Sequence, residues 1–131
     1  MKSIEEVREF FNNDRFATVC DNCTIEAIGE NYAKCKLTIE DKQLNANNSL
    51  MGGAIFTLAD FTFAVATNNQ TNCAVTQNAS ISFLNTAKGN FVTCEARCIK
   101  DGRKVCVYEL TVTDELGRII ATALFNGQKI I

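Results

Sequence analysis

The sequence contains no histidine, no excess of basic residues and no apolar run long enough to span a membrane. Any reaction must therefore proceed without an imidazole as acid, base or metal ligand. The 13 basic and 15 acidic residues give a net charge of -2, so no basic field favours nucleic acid or an anionic membrane surface. The longest apolar run falls short of the roughly 20 residues of a bilayer span, and the N-terminus carries acids where a signal peptide needs an apolar core. We expect a cytoplasmic protein that binds neither nucleic acid nor membrane.

The chain has seven cysteines, an odd number that, without a secretion signal, indicates reduced thiols. The one C-x-x-C motif joins Cys20 to Cys23, but a zinc site needs a second ligand pair. A redox motif normally opens a helix, whereas this one lies in strand-like sequence. No metal is therefore expected. Four other cysteines fall in alternating strand patterns and are predicted to be small core residues: Cys35, Cys94, Cys98 and Cys106.

A length of 131 residues fits a single domain, 1–131, with a modest core. Ser3 to Glu6 has the form of a capping box, which predicts a short amphipathic helix over 3–12 lying against the sheet. Strand-like sequence covers 18–28, 33–40, 73–84, 91–100, 103–113 and 118–130. The predicted turns lie at Asn68-Asn69-Gln70, 88–90, Asp101-Gly102 and 114–117. The order of elements predicts an α+β domain with a meander-like antiparallel sheet wrapped around one helix.

That helix is predicted over 53–67, a stretch that is apolar on almost every side and therefore belongs in the core. Projected at 3.6 residues per turn, its small and polar residues form one stripe: Gly53, Thr57, Asp60, Ala64 and Thr67. A carboxylate on such a helix is costly unless it is paired or opens onto water. Asp60 is therefore either a structural pairing residue or part of a functional groove, and we favour the groove.

Two glycines open the same helix. Their amides stand at the positive end of the helix dipole with no side chain over them, where an oxyanion can bind; alternatively, Gly52 and Gly53 only serve an unusual turn. Along 73–84, strict alternation places Thr76 and Asn78 on one hydroxyl- and amide-rich face, which is either solvated or turned toward a ligand or partner. Four aromatic residues either line an acyl pocket or fill the core: Phe56, Phe61, Phe63 and Phe83.

From about Tyr32 to Asn126 the sequence resembles the hotdog fold, and specifically the PaaI-like acyl-CoA thioesterases. The signature is N-x5-H-G-G-x4-L-A-D followed by a strand and an F-L-x-x-A-K-x-G-like turn. Here it stands as Asn45, Met51-Gly52-Gly53, Leu58-Ala59-Asp60 and Phe83 to Gly89. One departure is clear: Met51 occupies the place of the motif histidine, so a side-chain donor to the thioester oxygen is missing.

The resemblance implies hydrolysis of an acyl-CoA thioester, with no cofactor beyond the coenzyme A of the substrate. It implies that Asp60 is the catalytic acid, that the Gly52 amide binds the oxyanion, and that Asn45 and Thr76 belong to the site. It places the coenzyme A contacts on the hairpin of Lys100, Gly102, Arg103 and Lys104. Asp60 acts either as general base or as nucleophile, and the acyl group is not specified. The residue types alone are equally consistent with an ordinary solvated basic turn at this hairpin.

Eight residues of helix, about 12 Å, separate Gly52 from Asp60, whereas a base must lie within about 3 Å of the reacting atoms. We therefore expect a homodimer in which Gly52 of one subunit faces Asp60 of the other, assembled further into a homotetramer. The alternative to the enzyme is a non-catalytic acyl-CoA-binding module on the same fold, suggested by Met51. A hotdog dehydratase is disfavoured by the missing histidine, and a pure interaction protein leaves Asp60 without a role.

Overall fold

Six antiparallel strands and two α-helices make up a computed structural model that describes residues 1–69 and 73–130. The helices are α1 (Ile4–Phe11) and α2 (Gly52–Asn68). The strands are β1 (Cys23–Gly29), β2 (Tyr32–Thr38), β3 (Cys73–Phe83), β4 (Phe91–Asp101), β5 (Val105–Asp114) and β6 (Ile119–Ile130). The predicted order, helix, two strands, helix, four strands, is confirmed. None of the described helices has the length and apolarity to cross a bilayer.

The strands are ordered β1-β2-β4-β5-β6-β3, and every neighbouring pair is antiparallel. The predicted meander holds for β4, β5 and β6. β3 departs from it, because after α2 the chain returns at the far edge of the sheet and pairs with β6. The connection from β2 to β3 therefore carries α2 across the whole sheet.

α2 packs against the sheet and contacts all six strands. Its buried surface includes Ile55, Leu58 and Phe63, as its all-round apolarity predicts. Its buried threonines satisfy their hydroxyl groups within the helix: Thr62 Oγ1 donates to the Leu58 carbonyl at 2.7 Å. The predicted α+β architecture, an antiparallel sheet wrapped around one long helix, is confirmed.

The N-terminal helix closes one side of this core. Its capping box forms as predicted between Ser3 and Glu6. The buried ring of Phe11 meets Phe61 of α2 edge to face, with centroids 5.8 Å apart. The Arg8 guanidinium donates to the Ile25 carbonyl on the edge strand β1 at 2.8 Å and 3.1 Å. α1 thus attaches to the sheet edge and to the central helix at once.

The predicted strand over 18–28 is wrong in its first half. Phe16–Cys20 is a π-helical turn, closed by the bond from the Asp21 amide to the Phe16 carbonyl, and β1 begins only at Cys23. The residue before β1, Asn22, has a φ of 56°, so an extended strand cannot run through it. The C-x-x-C motif therefore joins an exposed turn to a buried strand and does not lie within one strand.

The cysteine predictions hold for most of the core. Cys35, Cys94 and Cys106 are buried and Cys98 is half-buried, and all seven cysteines are free thiols. Burial raises the pKa of the Cys94 thiol to about 12, so this group stays neutral. Of the predicted turn at Asn68-Asn69-Gln70, Asn68 still belongs to α2 and Gln70 lies outside the described residues. The predicted turns at 88–90 and 114–117 connect strands as expected. The hairpin turn predicted at Asp101-Gly102 lies over 102–104, because Asp101 is the last residue of β4 and β5 begins at Val105.

Candidate active site

A strip of α2 remains uncovered by the sheet. Gly53 is exposed, and Thr57, Asp60 and Ala64 are half-buried, on a helix whose other faces are packed. Four of the five predicted stripe residues therefore lie along one partly exposed strip of the helix. The fifth prediction is wrong: Thr67 is buried, and its hydroxyl donates back to the Phe63 carbonyl at 2.9 Å.

Asp60 binds a single side chain among the described residues. Thr76 Oγ1 on β3 donates to Asp60 Oδ1 at 2.7 Å, a short hydrogen bond of the kind that a carboxylate accepts from a hydroxyl. The other oxygen, Oδ2, accepts no protein donor within 1–69 and 73–130, and no lysine or arginine there pairs with it. This leaves a carboxylate oxygen free to take a proton or to attack a carbonyl.

A β-bulge in β3 is what turns Thr76 toward Asp60. Thr76 pairs with Gly127 and Asn78 pairs with Asn126, which leaves Gln77 as an extra residue. Gly127 is buried on the core side of β6, and the preceding residue, Asn126, points to the opposite face. Thr76, which pairs with Gly127, therefore points toward the core side of the sheet, and Asn78, which pairs with Asn126, points away from it. The prediction that these two residues share a face is wrong, since strict alternation counts the bulged residue as a full step. Asn78 consequently lies on the face of the sheet away from Asp60.

A second carboxyl group, that of Asp14, lies near Asp60, and no pattern in the sequence predicts this. Desolvation raises the pKa of Asp14, and the negative charge of Asp60 raises it further. Asp14 follows α1, and its backbone carbonyl accepts hydrogen bonds from the amide and the hydroxyl of Thr18. Phe11, three residues before Asp14, contacts Phe61 on α2, the helix of Asp60, and no local sequence pattern predicts this contact between α1 and α2.

The N-terminus of α2 presents unpaired backbone donors. Met51 caps the helix with extended dihedrals and no side-chain hydrogen bond, and among the described residues no acceptor takes the amides of Gly52 and Gly53. A Cβ atom on Gly52 would lie 3.3 Å from the ring of Phe83. One on Gly53 would lie 3.0 Å from the Met51 methyl group. The start of the helix is thus bordered by the apolar side chains of Phe83 and Met51.

Asn45 shapes the loop in front of this helix end. Its Oδ1 accepts the backbone amides of Asn47 at 2.9 Å and Ser49 at 3.1 Å, so its oxygen is engaged in the loop. The loop borders a cavity of about 380 Å³ whose lining includes Asn45, Gly52 and Phe83. The structure therefore brings three of the predicted site residues together here.

These residues form two half-sites at opposite ends of β3. The Asp60 half-site contains Thr76, near the start of the strand, and the Gly52 half-site contains Phe83, at its end. Seven positions of strand, one of them bulged, span roughly 20 Å at about 3.3 Å per residue. One chain does not bring Gly52 and Asp60 together, as their separation along the helix predicts.

The predicted coenzyme A hairpin joins β4 to β5. Lys100, Arg103 and Lys104 are exposed and form no ion pair among the described residues, whereas Asp101 pairs with Lys129. Gly102 has no room for a side chain, because a Cβ there would lie 2.6 Å from the Val105 carbonyl. Val105, at the start of β5, and Val75, next to Thr76 in β3, both pair with Gln128 of β6. The hairpin therefore stands at the same end of the sheet as Thr76. β5 and β3 are two strand spacings apart, so the distance from the hairpin to Thr76 is roughly 10 Å. The basic hairpin therefore lies near the Asp60 half-site.

Comparison with known proteins gives consistent sequence matches. A sequence profile of the thioesterase superfamily matches residues 47–121. The chain is 32% identical over 122 residues to a putative esterase of Archaeoglobus fulgidus, covering 92% of this chain and 79% of the relative. It is 29% identical over 128 residues to the acyl-coenzyme A thioesterase PaaI of Escherichia coli, covering 97% and 89%.

Solved structures share the fold. The structure of E. coli PaaI matches with a TM-score of 0.89 over 98% of this chain and 94% of that chain, at 23% identity. Two variants of a hypothetical thioesterase from Streptococcus pneumoniae match at 25% identity with TM-scores of 0.78 and 0.77, covering 82% of this chain and 90% and 89% of theirs. One variant replaces an aspartate by alanine and the other a threonine. Those two residues stand 16 positions apart, the separation of Asp60 and Thr76 here.

Proposed function

This chain belongs to the thioesterase superfamily as a PaaI-like hotdog thioesterase, and we propose that it hydrolyses acyl-CoA thioesters in a site shared by two copies of the chain. The observation that carries the proposal is the hydrogen bond from Thr76 to the half-buried Asp60, which leaves the other carboxylate oxygen without a protein donor among the described residues. The substrate class is supported by the name of the E. coli relative. The same two residue types at the same spacing, replaced in the streptococcal variants, support the roles of this pair.

In the proposed reaction, Asp60 Oδ2 takes a proton from a water molecule as the water oxygen attacks the thioester carbon. The Thr76 hydroxyl holds Oδ1, so the carboxylate is oriented before the substrate arrives. The carbonyl oxygen becomes negative and is bound by the free amide of Gly52 at the positive end of α2. When the carbon–sulfur bond breaks, the sulfur leaves and takes the proton from Asp60. Every step uses groups of the protein, water and substrate.

The sequence left open whether Asp60 activates water or attacks the thioester itself. A single turnover in H₂¹⁸O detects attack by Asp60. If Asp60 is a general base, the label enters only the product acid; if Asp60 attacks and water then opens the anhydride at the aspartyl carbon, the label stays in the peptide that contains Asp60. Label found in this peptide by mass spectrometry would establish attack, whereas opening at the acyl carbon labels the product acid as the general-base route does.

The proposed site requires a second copy of the chain. β3 is an edge strand of 11 residues, with β6 as its one partner strand among the described residues. A second β3 aligned antiparallel about an axis between Ala79 and Ser80 would bring Thr76 level with Phe83 of the partner subunit. The Asp60 half-site of each copy would then meet the Gly52 half-site of the other. Assembly into a tetramer and a cytoplasmic location stay predictions.

The basic hairpin is proposed to bind the phosphates of coenzyme A. Lys100, Arg103 and Lys104 are unpaired among the described residues and stand beside the Asp60 half-site. Asn45 and Phe83 would border the acyl end, next to Gly52. Asn78, on the outer face, is left without a place in this site.

Met51 favours one alternative, a module that binds acyl-CoA without cleaving it. Its side chain lies against Gly53, where the motif of the resembled family has a histidine, so the thioester oxygen would receive backbone donors alone. Release of free thiol across a panel of acyl-CoAs distinguishes the two functions. Saturable binding of acyl-CoA without thiol release would establish the module and refute hydrolysis.

The same assay tests Asp60 directly. Asp60→Asn keeps an acceptor for Thr76 but removes the base, and turnover should fall by about 10² to 10⁴-fold. Asp41→Asn makes the identical chemical change at an exposed position and should leave turnover unchanged. If Asp60→Asn were as active as Asp41→Asn, Asp60 would have no part in the chemistry.

A further inference from the structure

A buried polar cluster lies behind the loop that presents Asn45 and Gly52. Asp21 and Gln43 are 4% and 5% exposed. Gln43 Nε2 donates to Asp21 Oδ1 and to the Asp21 carbonyl, both at 2.9 Å. Gln43 Oε1 accepts from the Glu40 amide at 2.8 Å and from Asn22 Nδ2 at 3.4 Å.

These four hydrogen bonds fix the side-chain amide of Gln43 in one orientation. With its amide rotated by half a turn, Oε1 would face two oxygen acceptors and Nε2 would face two donors. Gln43 therefore binds two neighbouring segments: Asp21, which follows the π-helical turn, and Glu40, which lies in the connection after β2. Such a buried amide, satisfied on both sides, has a single position.

The backbone of the same residue holds the loop that carries Asn45 and leads to Gly52. The Gln43 carbonyl accepts the amide of Met51 at 2.9 Å, immediately before Gly52. The next residues, Leu44 and Leu50, form a β-bridge, and the loop between them is largely exposed. The base of the loop at Gln43 thus sets where Asn45 and the first helical amide stand.

We propose that Gln43, anchored by Asp21, is a positioning residue that holds the Gly52 amide and Asn45 where the thioester oxygen is stabilised. The inference rests on the proposed function. Neither Gln43 nor Asp21 would contact the substrate. Both would influence the rate from a buried hydrogen-bond network behind the site. A displacement of about 1 Å at a catalytic group can lower the rate about a hundredfold, so the anchor should affect kcat strongly.

Gln43→Met tests the proposal, since it keeps the length of the side chain and removes all four hydrogen bonds. We expect kcat for acyl-CoA hydrolysis to fall by about ten- to a hundredfold and KM to change by less than about threefold. Amide hydrogen exchange over 44–53 should accelerate, while exchange in β4 and β5 should not. Asp21→Asn retains an oxygen acceptor for Gln43 and should stay near wild type, whereas Asp21→Leu should resemble Gln43→Met.

Two controls separate positioning from general destabilisation. Glu9→Met places the same methionine at an exposed residue of α1 and should behave as wild type. Leu110→Ala removes buried volume from β5, where it pairs with Ala96 and Ala123, and supplies a variant with a lowered melting temperature. The proposal is overturned if Gln43→Met loses no more kcat than Leu110→Ala, or if exchange over 44–53 is unchanged. A wild-type protein that cleaves no thioester would overturn the proposed function and this inference together, whereas an active Gln43→Met variant would overturn the inference alone.

Discussion

Mixed dimers of two inactive variants test the shared site most directly. Asp60→Asn removes the base from one half-site. Gly52→Pro removes the oxyanion donor from the other, because proline has no amide hydrogen and is well tolerated at the first position of a helix. Met51 already has the extended dihedrals, φ -65° and ψ 140°, that a residue before proline requires. The new ring would need the Phe83 side chain to give by a few tenths of an ångström.

Each variant alone should be nearly inactive. Loss of one oxyanion donor costs about 10² to 10³-fold and loss of a general base about 10² to 10⁴-fold. Gly52→Ala is the matched control for the first, since it adds the same Cβ atom beside Phe83 but keeps the amide, and it should retain most activity.

A dimer of one Asp60→Asn subunit and one Gly52→Pro subunit should recover activity. If each active site combines Asp60 of one subunit with Gly52 of the other, one of the two sites in the mixed dimer carries both substitutions and the other carries neither. A purified mixed dimer should therefore show about half of the wild-type rate. Co-expression with two different tags isolates this species, and thiol release measures it. If both half-sites of one active site came from the same chain, every site in the mixed dimer would carry one defect. Activity no higher than the mean of the two parents would refute the shared site.

Three further predictions follow from the contacts described. Thr76→Val keeps the shape of the side chain but loses the bond to Asp60, so kcat should fall by about tenfold or more while Thr76→Ser retains it; equal rates for the two would contradict this role. Arg103→Ala with Lys104→Ala should raise KM for acyl-CoA but not for a truncated thioester without phosphates, and equal effects on both substrates would count against a phosphate site. Burial raises the pKa of Asp21 to about 6 from 3.8, so the folded state binds the proton more tightly than the unfolded state. The stability from this group is therefore greatest below pH 4 and is lost as pH rises through 6; denaturation of Asp21→Asn should show a smaller fall between these values, and an unchanged profile would refute the assignment.

Much of the fold follows from periodicity in the sequence. The alternation of Ala33, Cys35 and Leu37 predicts β2, and the apolar run after Gly53 predicts the buried helix, because packing against a single core imposes these repeats. Pairing order is not encoded in that way. The return of β3 beside β6 depends on how α2 crosses the sheet, and no local pattern records it.

The candidate site was predictable where a residue type is unusual in its setting. Asp60 stands out as one charge on an apolar helix, and Gly52 as a residue without a side chain at a helix start. The bulge at Gln77 could not be predicted, since it changes no residue type and shifts only the count between Thr76 and Asn78. Gln43 escaped notice for a related reason: its role comes from Asp21, 22 positions earlier in the chain, which folding brings alongside.

Because the proposed site forms only when a second copy covers the edge of β3, the specific activity should depend on protein concentration. A pocket completed by a second molecule exists only to the extent that two molecules have met, so the turnover per milligram should decline once the solution is diluted below the dissociation constant of the pair. Near that dissociation constant, the total activity would rise more steeply than the concentration of the protein, because the fraction of chains in pairs also rises.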